Sequence, residues 1–277
     1  VGFDTDSGEV AGTTGIEASI GWDVPFYSYH ISTIVHSSPK LGVNNVVKLL
    51  TFGNNYTGCS EICTLFLRPQ FRQGLNGRLM SKCRFLMMAE HPHRFSKTIF
   101  AEMRGVSDAE GNSPFWQWLQ EHFFSIDFTM ADYLTGIGKK GFIADLMPKL
   151  PIYVNLLSKE AQQVIGQVHE NTRPALRLLE KEGFTCRNYV DIFDAGPTVE
   201  CDLRNIESVR HSIRAKVTIA EHASSQDFLI ANTSFENFRA TAAKAAYDKE
   251  SESVILAPDV AEALHLAPGD YVRMLVQ

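Results

Sequence analysis

Leu65-Phe66-Leu67-Arg68-Pro69-Gln70-Phe71-Arg72-Gln73-Gly74-Leu75-Asn76-Gly77-Arg78-Leu79 is the stretch on which the reading of this chain turns. An apolar segment passes through an Arg- and Gly-rich loop into a segment with helical spacing. Glu61–Leu67 is a short continuous apolar run, the pattern of a buried strand, and Pro69 ends it. Across Gly77–Ala89, Leu79, Cys83 and Leu86 share one helical face with Met80 and Met87, while Arg78, Lys82 and Arg84 fall elsewhere. Glycines at a helix start let backbone amides approach an anion, and the helix dipole adds favourable potential. Arg72 and Arg78 can add charge. Strand, loop and helix together form a candidate phosphate cradle. The loop lacks both the Gly-Lys-Ser/Thr of a P-loop and the spacing of a dinucleotide fingerprint. The plainer reading is an ordinary connecting loop with solvated arginines.

Upstream, Phe3–Val10 reads as a strand end, a polar turn and a new strand. Gly12–Ile20 and Tyr27–Val35 are rich in β-branched and aromatic residues, and the Gly21–Pro25 turn separates them. Pro39–Tyr56 reads as irregular because of its Asn and Gly clusters. Downstream, Lys97–Met103 is a further strand, and Phe115–Phe124 and Ser158–Ile165 are helices. Val164–His169 could finish as a strand. Thr172–Glu182 is a helix capped by Asn171 or Thr172, with Pro174 in its first turn and Gly183 as its stop. Tyr189–Phe193 and Thr198–Asp202 are strands around the turn Asp194–Pro197. The tail alternates short strands and turns, giving a two-part chain: residues 1–205 as an α/β unit and 206–277 as a small β-rich subdomain. The chain begins at Val1 without Met, so a preceding segment is expected.

The 277 residues are ample for a buried core, and 44% hydrophobic with 21% charged residues is ordinary globular composition. Net charge is 26 − 32 = −6, which argues against a nucleic-acid footprint. No apolar stretch approaches the roughly 20 residues that cross a bilayer, and no signal peptide is visible at the start. Five scattered cysteines (59, 63, 83, 186, 201) fit a reduced cytoplasm. Cys59-x-x-x-Cys63 lacks a second pair at ligand spacing, so no metal site is expected.

Thr172–Phe184 (TRPALRLLEKEGF) supports the cradle. The two stretches together resemble the acyl-CoA N-acyltransferase (GNAT) superfamily. There an Arg-x-x-Gly-x-Gly loop after a strand holds the coenzyme A pyrophosphate. A later helix has the form Asn-x-x-Ala-x-x-Leu-Tyr-Glu-Lys-x-Gly-Phe. Arg72 and Gly77 match the loop, Leu75 replaces its first Gly, and Gly74 lies one place early. Ala175, Leu178, Glu180, Lys181, Gly183 and Phe184 match the helix, with Thr172 for its Asn and Leu179 for its Tyr. Cys63–Leu67 (CTLFL), Ala101–Gly105 (AEMRG), Ser113–Trp116 (SPFW), Phe142–Pro148 (FIADLMP), Val164–His169 (VIGQVH) and Asp191–Asp194 (DIFD) resemble the arginine N-succinyltransferase family, from about Phe3 to Asp202.

The resemblance implies a GNAT-like mixed sheet flanked by helices, lacking here the family's first strand and two helices. It implies transfer of succinyl from succinyl-CoA, a co-substrate rather than a resident cofactor, to the α-amino group of L-arginine. That reaction opens a bacterial catabolic route that releases ammonia. Leu65 matches the position whose backbone N–H meets the thioester oxygen, and Arg72, Gly74, Gly77 and Arg78 fall on the CoA loop. His169 matches the family's proton donor, a role for which an imidazole is suited near neutral pH. The guanidinium of arginine calls for a carboxylate, with Glu61, Glu102 and Asp132 as candidates, and Arg104 is a candidate for a substrate carboxylate. A bare sheet edge leaves a homo-oligomer open. Two rivals stay open: an acyltransferase for another amine such as ornithine, and a non-catalytic acyl-CoA-binding subunit.

Overall fold

A computed structural model describes residues 2–4, 8–123, 130, 133, 146–221 and 226–277. Its main sheet has nine strands in the order β1 (Gly2–Asp4), β2 (Val10–Glu17), β5 (Ser60–Leu67), β6 (Thr98–Glu102), β9 (Pro197–Asp202), β8 (Thr185–Val190), β3 (Ser28–Ser38), β4 (Val43–Gly53) and β7 (Ile152–Tyr153). Every neighbouring pair is antiparallel except β5–β6. Parallel neighbours need a crossover, and helix α1 (Asn76–Glu90) supplies it. Five further helices follow among the described residues: α2 (Pro114–Phe123), α3 (Lys159–Val164), α4 (Arg173–Lys181), α5 (Glu207–His211) and α6 (Pro258–Ala263). A second sheet has six strands in the order β12 (Ala240–Lys244), β11 (Asp227–Asn232), β15 (Tyr271–Val276), β10 (Ile213–Ile219), β14 (Ser253–Leu256) and β13 (Ala246–Asp248). The mixed α/β sheet with a separate β-rich C-terminal sheet is the expected architecture.

The stretch 39–56, expected to be irregular, is instead a strand. Beyond a short turn at Pro39–Leu41, β4 pairs with β3 over eleven residues. Asn44 and Asn45 sit at the hairpin end, where the Ser37 hydroxyl donates to the Asn44 side chain at 2.6 Å. The β-branched and apolar run Val46–Phe52 then carries the strand.

Helix α1 also departs from a one-faced pattern. Leu79, Cys83 and Leu86 pack on Leu229, Ala231 and Leu275 of the second sheet. Phe85 and Met88 pack on Ile62, Ile99 and Ala101 of the main sheet. The helix lies between the two sheets, so Arg84, expected away from the packed face, is buried. At its C-terminal end Glu90 accepts from Arg273 at 2.9 Å and Arg214 at 3.1 Å, tying the second sheet to the helix. Burying Leu79 and Leu86 contributes about 1.5–3 kcal/mol each.

Candidate active site

The parallel pair of the main sheet is short. β5 and β6 are in register only at Ser60↔Ile99 and Glu61↔Phe100. Beyond them β5 runs on through Ile62–Leu67 with no strand on that edge among the described residues. On its other edge β5 carries an extra residue against β2, between the pairs Gly15↔Cys63 and Thr13↔Phe66, and Thr64 has φ 49. A bulge of this kind bends the strand and frees backbone groups next to it. The two parallel strands therefore part and leave a wedge. Leu65 on β5 and Arg104 beyond β6 lie past the last registered pair, on the two sides of the wedge.

The wedge ends at the loop before α1. Among the described residues no backbone acceptor meets the amides of Gly74, Leu75, Gly77 or Arg78, and no side chain caps the helix. Gly74, at φ +54, and Gly77 have open space where a Cβ would stand. Arg72 Nε donates to the Leu67 carbonyl at 2.8 Å, and Asn76 Nδ2 to the Phe71 carbonyl at 3.0 Å. These two bonds fix the loop against the end of β5. Arg72 and Arg78 are exposed beside it. Free amides, open space and two guanidinium groups at a helix start can hold a phosphate.

His169 stands on the far side of the wedge. Val168 bridges to Gly105, and the His169 amide donates to the Arg104 carbonyl at 2.9 Å. The Met103 amide bonds Pro197 on the β9 side, and backbone groups alternate between edges, so the Arg104 carbonyl faces the β5 side. His169 is thereby held on the β6 wall of the wedge, on the side that faces β5. Its Nδ1 accepts from the Asn171 amide at 3.2 Å, so a neutral ring carries its proton on Nε2. That bond also belongs to the turn leading into α4. The Thr172 side chain makes no cap there, so the cap expected from Asn171 or Thr172 is absent and the His169 ring takes its place.

Two carboxyls brace this wall. Asp194 accepts from Gly105 N at 2.7 Å and from Gly196 N at 2.8 Å. Asp191 accepts from Phe193 N at 2.6 Å and Asp194 N at 2.9 Å. Burial, then the Asp194 charge, pushes the Asp191 carboxyl up to about 8, so the pair holds a proton at neutral pH. The wall is tight: a Cβ on Gly105 would lie 2.5 Å from the Asp194 carbonyl.

Glu61 lies opposite Phe100, and Glu102 follows two residues later on the same strand face. Phe100 stacks on Tyr56 at 4.4 Å, and the Tyr56 hydroxyl donates to Glu200 at 2.7 Å. Burial and that bond push the Tyr56 hydroxyl well above its ordinary range. Arg104 is exposed and donates to the Ser107 hydroxyl at 2.8 Å. Asp132 lies outside the described residues.

The family model described as "Arginine N-succinyltransferase beta subunit" matches residues 1–208, and that of its C-terminal domain matches residues 213–275. The chain belongs to the arginine N-succinyltransferase family. It is 48% identical over 275 residues to the arginine N-succinyltransferase of Escherichia coli strain 55989, covering 98% of this chain and 79% of that relative. Identity to the enzyme of Salmonella paratyphi B is 46% over the same length. A solved structure, the arginine/ornithine succinyltransferase subunit AI from Pseudomonas aeruginosa, superposes with TM-score 0.88 at 35% identity, covering 98% of this chain and 78% of that one.

For a member of this family, reading the sequence left two features without a role. The buried Asp191–Asp194 pair was visible only as a string, and the signal for it was the Asp-Ala-Gly-Pro turn, whose Gly196 would carry a Cβ 2.1 Å from the Met103 carbonyl. The burial of Arg84 had no sequence signal of its own.

Proposed function

We propose that this chain transfers succinyl from succinyl-CoA to the α-amino group of L-arginine. The wedge between β5 and β6, with free amides at its end and His169 tied to its β6 wall, carries the reading. The CoA pyrophosphate lies against Gly74, Leu75, Gly77 and Arg78, and the pantetheine arm follows the open edge of β5. The neutral amine attacks the thioester carbonyl. The oxygen takes up negative charge and is met by the Leu65 amide, a fixed donor whose alignment precedes the reaction. The tetrahedral intermediate then breaks its C–S bond. The thiolate takes a proton from the imidazolium form of His169, leaving a neutral ring; the proton shed by the new amide nitrogen restores the imidazolium, and succinylarginine and free CoA leave. Leu179 stands where the superfamily's Tyr acid would be and has no proton to give, which leaves that role to His169.

Of the candidate carboxylates, Glu61 and Glu102 would draw the guanidinium toward the face beside the wedge. The boundary at 205/206 separates the acyltransferase unit from the β-rich one, although α5 packs back through a bond from Ser208 N to Glu182. The free cysteines fit a reducing cytoplasm, and no helix among the described residues is long and apolar enough to cross a membrane. The Pseudomonas structure is named for both arginine and ornithine, so ornithine is the second acceptor to test. Mixing the protein with succinyl-CoA and each amine should release CoA and N-succinyl product in equal amounts, faster with arginine. CoA binding without any release of thiol would favour the non-catalytic reading.

A further inference from the structure

Helix α1 presents a second stripe, Met80, Ser81, Arg84, Phe85 and Met88, to the main sheet. Met80 packs among Ala11, Leu65 and Leu67, and Phe85 and Met88 pack on Ile62 and Ile99. Arg84 comes between them on the helix. It therefore lies beneath β5 between Ile62 and Leu65, at the bulge where β5 has left β6. The Cys63 thiol there feels its charge. The side chain is 3% exposed. Its Nε donates to the Ser81 carbonyl at 3.0 Å and one terminal nitrogen to the Ser81 hydroxyl at 3.3 Å. Two of five N–H groups are used, and none of its ion-pairing partners among the described residues is a carboxylate. Burial lowers it to about 10, so it stays cationic at neutral pH.

A buried cation without an anion is costly. The anion that the proposed reaction brings into the wedge is the free carboxylate of the acyl group, two methylenes beyond the thioester carbonyl. We propose that Arg84 binds this carboxylate and so selects a dicarboxylic acyl chain over a plain one. The assignment rests on the reading of the reaction given above. Lys82 is engaged with Glu182 at 3.0 Å, and Arg104 is exposed at the mouth, so neither offers a desolvated fork at this depth.

The test compares succinyl-CoA with butyryl-CoA, which has the same carbon count and no carboxylate. Both kcat/KM and direct binding are measured in wild type, R84M, R84K and R104M, with melting curves for each. R84M should lower the succinyl-to-butyryl ratio about 100-fold, with the loss in the succinyl arm. R84K keeps the charge without the fork and should lower it about tenfold, which serves if R84M does not fold. An unchanged ratio in R84M or R84K, whether turnover holds or falls equally with both thioesters, makes Arg84 a structural cation and overturns the proposal. A ratio that collapses in R104M instead also overturns it. A wild-type protein that does not succinylate arginine defeats the proposed reaction, while the binding ratio still decides Arg84.

Discussion

Two charged side chains are buried beside α1, and the fold treats them in opposite ways. At the seam with α5, Glu182 is 2% exposed and fully answered: Lys82 lies 3.0 Å from one oxygen and Ser208 N donates to the other at 2.7 Å. Under the wedge, Arg84 is as deeply buried, and its hydrogen bonds among the described residues stay within its own helix turn. A buried charge whose partners come from within the chain closes a structure, because removing one partner strands the other. A buried charge held without a counter-ion keeps a place for one that arrives. The seam should fail in stability and the wedge in turnover.

The largest expected effect is at the wedge. His169→Ala should lower kcat by about 10²–10⁴-fold with little change in succinyl-CoA binding or melting temperature. Steady-state kinetics with a melting curve would break the contrast if stability fell instead. At the seam, Glu182→Ala strands Lys82 and the Ser208 amide and should cost about 3 kcal/mol in urea unfolding, with unchanged turnover per folded molecule. Gly77→Ala works in both directions at once. Alanine suits the first turn of α1 better than glycine, by about 0.5–1 kcal/mol, yet its methyl enters the space assigned to the pyrophosphate. KM for succinyl-CoA should rise about tenfold while the melting temperature holds or rises.

The smallest effect concerns Asp191, whose carboxyl is raised to about 8 in the folded chain from the ordinary 3.8. The folded state holds a proton that the unfolded chain releases. The stability it contributes is therefore fully present below about pH 3.8 and is lost as pH rises through about 8. Asp191→Asn keeps a donor toward Asp194 without a titrating proton. Urea unfolding at pH 5 and pH 8.5 should show wild type losing more stability than the variant.

Strand, loop and α1 were legible because they lie within one short stretch and follow local rules. The open backbone at Gly74 and Gly77, the proposed phosphate cradle, was legible for the same reason. The wedge was not, since it depends on where β6, thirty residues further on, stops pairing with β5. Strand β4 was hidden by its own asparagines, which serve the hairpin end rather than a loop. Arg84 was misplaced because helical periodicity assumes one buried face, whereas α1 has a sheet on each side. His169 stood out only through resemblance. What sets its height in the wedge is a backbone bond to Arg104, and no side-chain pattern records that.

Helix α1 is also a beam anchored at both ends. Its fifteen residues span about 22 Å, from the phosphate amides to Glu90, where two arginines of the second sheet grip it. Without that sheet, Leu79, Cys83 and Leu86 would face water and Glu90 would lose both grips. The far end would then fray, and the first turn would carry the load of the phosphate on a loosened support. The second sheet thus sets the stiffness of the mount on which the proposed phosphate site is built.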